Sequence, residues 1–348
     1  MPLRRTFASG RPEMSAAAAA AAAGMLYLMG VRGFNASGQL TTIIAINATT
    51  GAVRLSPDFV VRSPFDGCGA AFDAGSGAAG RAPQYYVPDG SPMEPAADYE
   101  FLTVSTAGEV LRRAKAHGGT PPGGSWDWPF VAYDAATQRG YGIGSLRPPP
   151  GPEGNTSLVE FDPATGLQAV VDGSADLQFF AEEPFCVAGA SPALGARGSI
   201  HAVNGVIQKA EAQQLVTVDV AFGRRAGLLE YPTGMIMALA GHASGVFCGL
   251  EPDGGGASTL VRVDPLAKAW GRPATLLALQ PGWTFSQGVM AAVGGGGALA
   301  FVTQRNGEAR SQLVVGDVSV DPPVFAAPVD VDLSCCPWGV GALGGAAP

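Results

Sequence analysis

The chain has 348 residues and a formal net charge of -8, with only 14% charged residues beside 50 glycines and 28 prolines. The acidic balance argues against a nucleic-acid surface, and no run of about 18 apolar residues offers a membrane-spanning helix. So many turn formers beside so few helix signals point to an all-β chain of short, closely spaced strands.

Residues 1–24 form a low-complexity tail, with Arg4, Arg5 and Arg11 against Glu13, then Ser15 and eight alanines. An Arg-rich, acid-poor stretch has the composition of a transit-type peptide, and a disordered or partly helical tail is the simpler expectation. From Met25, "MLYLMGVRG" reads as a strand, and "LTTIIAINATTGAVRLS" as a hairpin. Hairpins of the same design follow: "YEFLTVSTAGEVLRRA", "SLVEFDPATGLQAVV", "QLVTVDVAFGRRAGLL", "TLVRVDPLAKAWGRPATL" and "QLVVGDVSVDPPVFAAP". In each, a β-rich run ends on a short polar residue, a turn follows, and a second run pairs back. In the third, Pro163 pre-sets one turn angle and Gly166 supplies the positive φ that returns the chain. "EVLRRAKAH" is the one helix candidate, and it fits an outer strand plus loop equally well.

The six polar residues are Asn47, Ser105, Asp162, Asp219, Asp264 and Asp317, at steps of 58, 57, 57, 45 and 53. A repeat of about 40–55 residues is the period of propeller blades, each a four-stranded sheet. Between the hairpins lie Gly-, Ala- and Val-rich pairs such as "PFVAYDAATQRGYGIGSL" and "TGMIMALAGHASGVFCGL". Small residues suit the innermost strand, where sheets converge on a narrow channel. With strands lettered A to D from the channel outward, each unit reads as A–B then C–D. The folded part begins on a B strand and ends with "CCPWGVGALGG", a lone A strand. The C-terminus is thus expected to supply the missing inner strand of the first blade and leave no open edge. Residues 25–348 are predicted to form one six-bladed β-propeller, expected as a monomer.

Loops from strand D to the next strand A gather on one face around the channel mouth. They carry Phe65, Asp66 and Cys68, then Trp126, Asp127 and Trp128, then Glu182, Glu183 and Phe185. Tyr231, Trp283, Ser286, Gln287, Cys335, Cys336 and Trp338 complete the set. A mouth with aromatic walls and a few polar groups is a ligand funnel. Phe65, Trp126, Trp128, Phe185, Trp283, Gln287 and Trp338 are the expected ligand contacts, with wedging of adjacent blades as the alternative for the aromatics. Asp66, Asp127, Glu182 and Glu183 are either a solvated rim or oxygen ligands for Ca²⁺ or another divalent cation. Asp73 and Asp134 read as turn formers after A strands.

Other chemistry finds little support. His117, His201 and His242 lack ligand spacing, no nucleophile elbow is present, and "VGGGGAL" reads as a hairpin turn. Five cysteines, Cys68, Cys186, Cys248, Cys335 and Cys336, lack metal spacing, and most are expected reduced on inner strands. That favours the cytoplasm. The sequons at Asn35, Asn47 and Asn155 favour secretion. No compartment is fixed.

"AINATTGAVRL" and "FDPATGLQAVV" resemble the repeats of quinoprotein-type propellers. The blade count and acidic mouth are similar to the gluconolactonase (regucalcin) family. That second resemblance implies one divalent cation in the channel, and no catalytic residue is carried over. The sequence supports a binding scaffold for a protein or small ligand, with no cofactor, ahead of a divalent-metal-dependent hydrolase of lactone or ester type.

Overall fold

The computed structural model describes residues 24–62, 70–75, 81–90, 99–118, 125–127, 131–134, 137–147, 156–171, 189–191, 198–204, 213–231, 234–242, 244–253, 256–293, 297–306, 308–337 and 340–345. At 125–127, 131, 143–147, 156, 189–191 and 204 it describes the backbone only. The tail, residues 1–23, lies outside the described residues.

Among the described residues every regular element is a strand. The first blade contains β1 (Met25–Asn35), β2 (Gly38–Asn47) and β3 (Val53–Leu55), with β4 (Phe59–Val61) extending the outer edge against β2. The second is β5 (Ala71–Asp73), β6 (Gln84–Asp89), β7 (Glu100–Ser105) and β8 (Val110–Lys115), so "VLRRAK" is an outer strand. The third comprises β9 (Ser125–Asp127), β10 (Val131–Asp134), β11 (Arg139–Arg147), β12 (Thr156–Phe161) and β13 (Gln168–Val170). The fourth is β14 (Gly189–Ser191), β15 (Ser199–Asn204), β16 (Gln213–Asp219) and β17 (Arg224–Tyr231). The fifth is β18 (Met235–His242), β19 (Gly245–Glu251), β20 (Thr259–Val263) and β21 (Thr275–Ala278). The sixth is β22 (Trp283–Val293), β23 (Ala298–Arg305), β24 (Ser311–Asp317) and β25 (Val324–Phe325), with β26 (Val329–Val331) extending the outer edge. The last strand, β27 (Val340–Gly345), crosses back to pair antiparallel with β1 and supplies the inner strand of the first blade. Six antiparallel blades therefore close into a ring, as the sequence predicts.

The hairpin repeat has a concrete chemical basis. A side-chain oxygen of each of the six polar residues accepts the backbone N–H two residues on: Asn47 from Thr49, Ser105 from Ala107, Asp162 from Ala164, Asp219 from Ala221, Asp264 from Leu266 and Asp317 from Ser319. The distances run from 2.8 to 3.3 Å. A short side chain that ends in oxygen is what this turn requires, so Asn, Ser and Asp interchange there. Gly166 takes φ +81°, as its place in the turn demands.

Among the described residues the core is six separate layers, one between each neighbouring pair of blades. Successive side chains of a strand point to opposite sheet faces, and both faces of a blade are covered. Leu26 and Leu28 of β1 therefore pack toward the sixth blade, while Met29 and Val31 pack toward the second. This double burial is why the middle strands read as continuous apolar runs rather than alternating ones.

Where the ring converges, bulk is excluded. Phe72 of β5 lies across the closing strand, so a Cβ at Gly344 would fall 2.1 Å from its ring. The same ring stacks on Tyr27 and meets Tyr85 edge-on, with centroids 6.0 and 4.9 Å away. Gly344→Val is therefore expected to destabilise the protein by about 3 kcal/mol and to lower the melting temperature by several degrees. A thermal melt unchanged from wild type would show that Phe72 relaxes away without cost.

Candidate functional site

Innermost strands from five of the six blades enclose a cavity of about 270 Å³ along the ring axis. Its described walls are Ala, Gly, Leu, Met and Phe, and the only polar side chain among them is Tyr133. The strand geometry explains the small residues, since converging sheets leave no room for larger ones.

The inner strands are also irregular. On β22, pairing with β23 breaks between Phe285 and Met290. Phe285 and Val289 stay fully buried in this break, Ser286 is nearly so, and Gln287 is thrown outward beside Gly288, which lines the cavity. A bulge of this kind re-aims a side chain that a regular strand would bury. On the third blade, β9 and β10 both pair with β11.

These pairings correct one expectation. Trp126 and Asp127 are not in a loop: they lie on β9, opposite Leu146 and Ser145. Trp283, Ser286 and Gln287 likewise lie on β22, where Trp283 pairs with Arg305 and is half-buried against the layer between the fifth and sixth blades. Tyr231 ends β17, buried, with its ring centroid 5.0 Å from that of Trp270. Aromatic side chains extend the inner and outer strands beyond the points where Pro and Gly appear to end them. Phe65, Asp66, Trp128, Glu182, Glu183, Phe185 and Trp338 lie outside the described residues, as do Cys68 and Cys186. Cys248 sits on β19, a second strand, rather than on an inner one, and burial pushes its thiol well up from the ordinary value.

No group of three or more His, Cys, Asp or Glu side chains that could hold a metal ion occurs among the described residues. Of the four candidate carboxylates, Asp66, Glu182 and Glu183 lie outside the described residues, and of Asp127 only the backbone is described.

Two polar clusters join blades and were not legible in the sequence. Between the first and second blades, the Asp89 carboxylate is fully buried and accepts from the Arg62 backbone N–H, from Arg62 Nε at 3.2 Å and from an Arg113 guanidinium N–H at 3.2 Å. Glu100 meets the same two arginines at 3.7 and 3.2 Å. The charges balance, two against two, so the cluster pins the blades together. On the second blade Asp73 accepts from the Gly75 N–H as a turn former and from the Tyr86 hydroxyl at 3.2 Å, and the Tyr86 ring meets Tyr133 of the third blade with centroids 4.6 Å apart. Burial, with a lesser effect from Tyr133, pushes the Tyr86 phenol far above its ordinary range, so it stays a donor. Asp134 accepts from Thr137 Oγ1 at 2.9 Å, again as a turn former.

One hydroxyl–imidazole contact has the look of a nucleophile and base. Ser199 Oγ lies 3.2 Å from His201 Nε2, and His201 Nδ1 lies 2.9 Å from Thr217 Oγ1. All three residues are fully enclosed, so no substrate reaches the serine, and the chain of contacts is internal to the fourth blade. Among the described residues, the cavity walls offer small apolar side chains, backbone groups and the Tyr133 phenol.

No protein-family model matches the chain, and no curated protein sequence matches it. Among solved structures, a chain from a nidogen/laminin complex superposes with a TM-score of 0.54 over 92% of this chain and 98% of that one, at 11% identity. A periplasmic gluconolactonase from Pseudomonas aeruginosa gives a TM-score of 0.45 at 13% identity, covering 87% of this chain and 82% of that one. The pyrroloquinoline quinone-bound aldose sugar dehydrogenase of Streptomyces coelicolor gives 0.44 at 13% identity, covering 79% and 87%. At such identities the likeness is one of fold alone.

Proposed function

We propose that this six-bladed propeller is a binding scaffold that takes a protein segment or small ligand at its channel mouth. The observation that carries the reading is the break in β22, which turns Gln287 outward next to Gly288, part of the wall of a cavity of about 270 Å³ lined by small side chains and backbone. Apolar walls with a few orienting polar groups are the usual make-up of a ligand pocket. In this reading Phe65, Trp126, Trp128, Phe185, Trp283 and Trp338 supply aromatic surface to such a ligand.

The test uses a displayed library of random peptides selected on the purified full chain. Selected peptides are expected to bind wild type and to lose about tenfold or more in affinity, roughly 1.4 kcal/mol, with Gln287→Ala or with Ala291→Phe, which fills the cavity wall. Peptides that bind both variants as well as wild type sit elsewhere and sink the reading.

A divalent-metal-dependent lactonase or esterase is the second reading, and the place of Asp127 on an inner strand is what favours it. Asp66, Asp127, Glu182 and Glu183 would then supply oxygens to one hard cation. Calorimetric Ca²⁺ titration decides it. Stoichiometric heat in wild type that disappears in Asp127→Ala supports the hydrolase, and equal behaviour of the two proteins removes it.

A further inference from the structure

We propose that Cys335 and Cys336 are a redox-active vicinal dithiol, which closes reversibly to a disulfide at the point where the chain completes the ring. The two sulfur atoms lie 2.8 Å apart in the turn that leads from β26 into the closing strand β27. Cys336 is buried and rests on β1: a Cβ at Gly30 would fall 2.5 Å from its Sγ. Cys335 is half-exposed beside it. Arg32, two residues beyond Gly30, brings positive charge to the pair while bonded to Asp58 at 3.0 Å.

This environment separates the two thiols. The hydrogen bond from Cys336 lowers the Cys335 thiol below its ordinary value, with further help from Arg32, while Cys336 is pushed up. A half-exposed thiol of lowered pKa next to a second cysteine is the arrangement of a redox-sensing pair, with one sulfur attacking and its neighbour resolving. Cys248 makes the contrast: fully buried and alone, it has neither access nor a partner sulfur among the described residues.

The oxidant is a peroxide. The Cys335 thiolate attacks one peroxide oxygen, the O–O bond breaks, and the departing hydroxide takes a proton to leave as water. Cys336 loses its proton and attacks the Cys335 sulfur of the sulfenic acid, the S–S bond forms, and the second oxygen leaves as water. Two sulfurs give up two electrons, and one peroxide becomes two waters. Adjacent Cα atoms stand about 3.8 Å apart, inside the usual lower limit of about 4.4 Å for a disulfide. Such a bond is strained, and strained disulfides are readily reduced again.

The full chain permits a direct test, because the tryptic peptide 311–348 contains both of these cysteines and no other. Reduced protein is treated with limited hydrogen peroxide, alkylated, digested and weighed. The wild-type peptide is expected to lose two hydrogen atoms, to take no alkyl group, and to regain both thiols with dithiothreitol. Cys336→Ser is expected to stop at a sulfenic acid trapped at Cys335, and Cys335→Ser to remain unoxidised at the same dose. A peptide that keeps two alkylatable thiols overturns the proposal. So does one in which Cys335 goes on to sulfinic acid, or is joined to Cys68 or Cys186, while Cys336 stays a thiol. Circular dichroism of both variants confirms that each outcome is read on folded protein.

Discussion

A chain that stops before Val340 is expected to lose its cooperative melting transition and to aggregate. The closing strand β27 pairs with β1 from Gly30↔Val340 to Leu26↔Gly345, and each lost backbone hydrogen bond costs about 0.5–1.5 kcal/mol net. Leu343 is buried in the layer shared with the sixth blade, and Gly344 is the surface on which Phe72 lies. Fully buried Tyr85 donates its hydroxyl to the carbonyl of Ala342 at 3.1 Å, so truncation also orphans a buried phenol, at about 1–3 kcal/mol. These losses together reach the size of a typical whole-domain stability of about 5–15 kcal/mol. The freed edge of β1 then offers unpaired backbone groups to other chains. The milder Leu343→Ala keeps the strand and is expected to cost about 2–3 kcal/mol with folding intact. Adding a synthetic peptide covering 332–348 is expected to restore part of the transition in the truncated protein. A truncated chain that melts like wild type would mean that β27 is not what holds the ring shut.

How much of this was readable from the residues depends on how local each interaction is. The six turn formers were legible because a side-chain oxygen and an N–H two residues away are neighbours in sequence as well as in space. Ring closure was legible for a related reason: a B strand with no preceding A strand, and an A strand with no following B strand, leave one arrangement open. The placement of Trp126, Asp127 and Trp283 was not. Pro and Gly beside them signal a loop, while their strand partners sit some twenty residues on, in β11 and β23. The break in β22 that exposes Gln287 left no mark in the sequence, since "FSQGV" is equally good turn or strand. The Asp89 cluster draws Arg62 from one blade and Arg113 and Glu100 from another, so only the folded ring assembles it. Cys335 and Cys336 stood adjacent from the start, but spacing rules for zinc say nothing of a second strand that supplies Gly30 as a seat and Arg32 as a charge.

Stability is expected to fall by about 3 kcal/mol between pH 6.5 and 4 through His201 alone, a loss that His201→Gln abolishes. Burial holds the His201 imidazole at a pKa of about 4, below its ordinary 6.5. At neutral pH the ring is uncharged, and its two nitrogens meet Ser199 Oγ and Thr217 Oγ1, one donating and one accepting. The unfolded chain takes up a proton near pH 6.5, whereas the folded one resists until pH 4. Below 6.5 the unfolded state therefore binds more protons, and stability falls with pH until the folded ring also titrates. Above 6.5 neither state is protonated and the contribution is complete. A difference of about 2.5 pKa units at about 1.4 kcal/mol each sets the size. Carboxylates titrate toward the acid end of this window in both proteins, so the comparison between them isolates the histidine. Urea unfolding at a series of pH values from 7.5 to 4 provides the measurement, with Gln chosen because its amide can donate and accept without titrating. The wild-type curve is expected to drop more steeply than that of the variant across this window, and the two run parallel above it. Parallel curves throughout would mean that solvent reaches the ring and that the fourth blade opens far more readily than its sealed Ser199–His201–Thr217 chain implies.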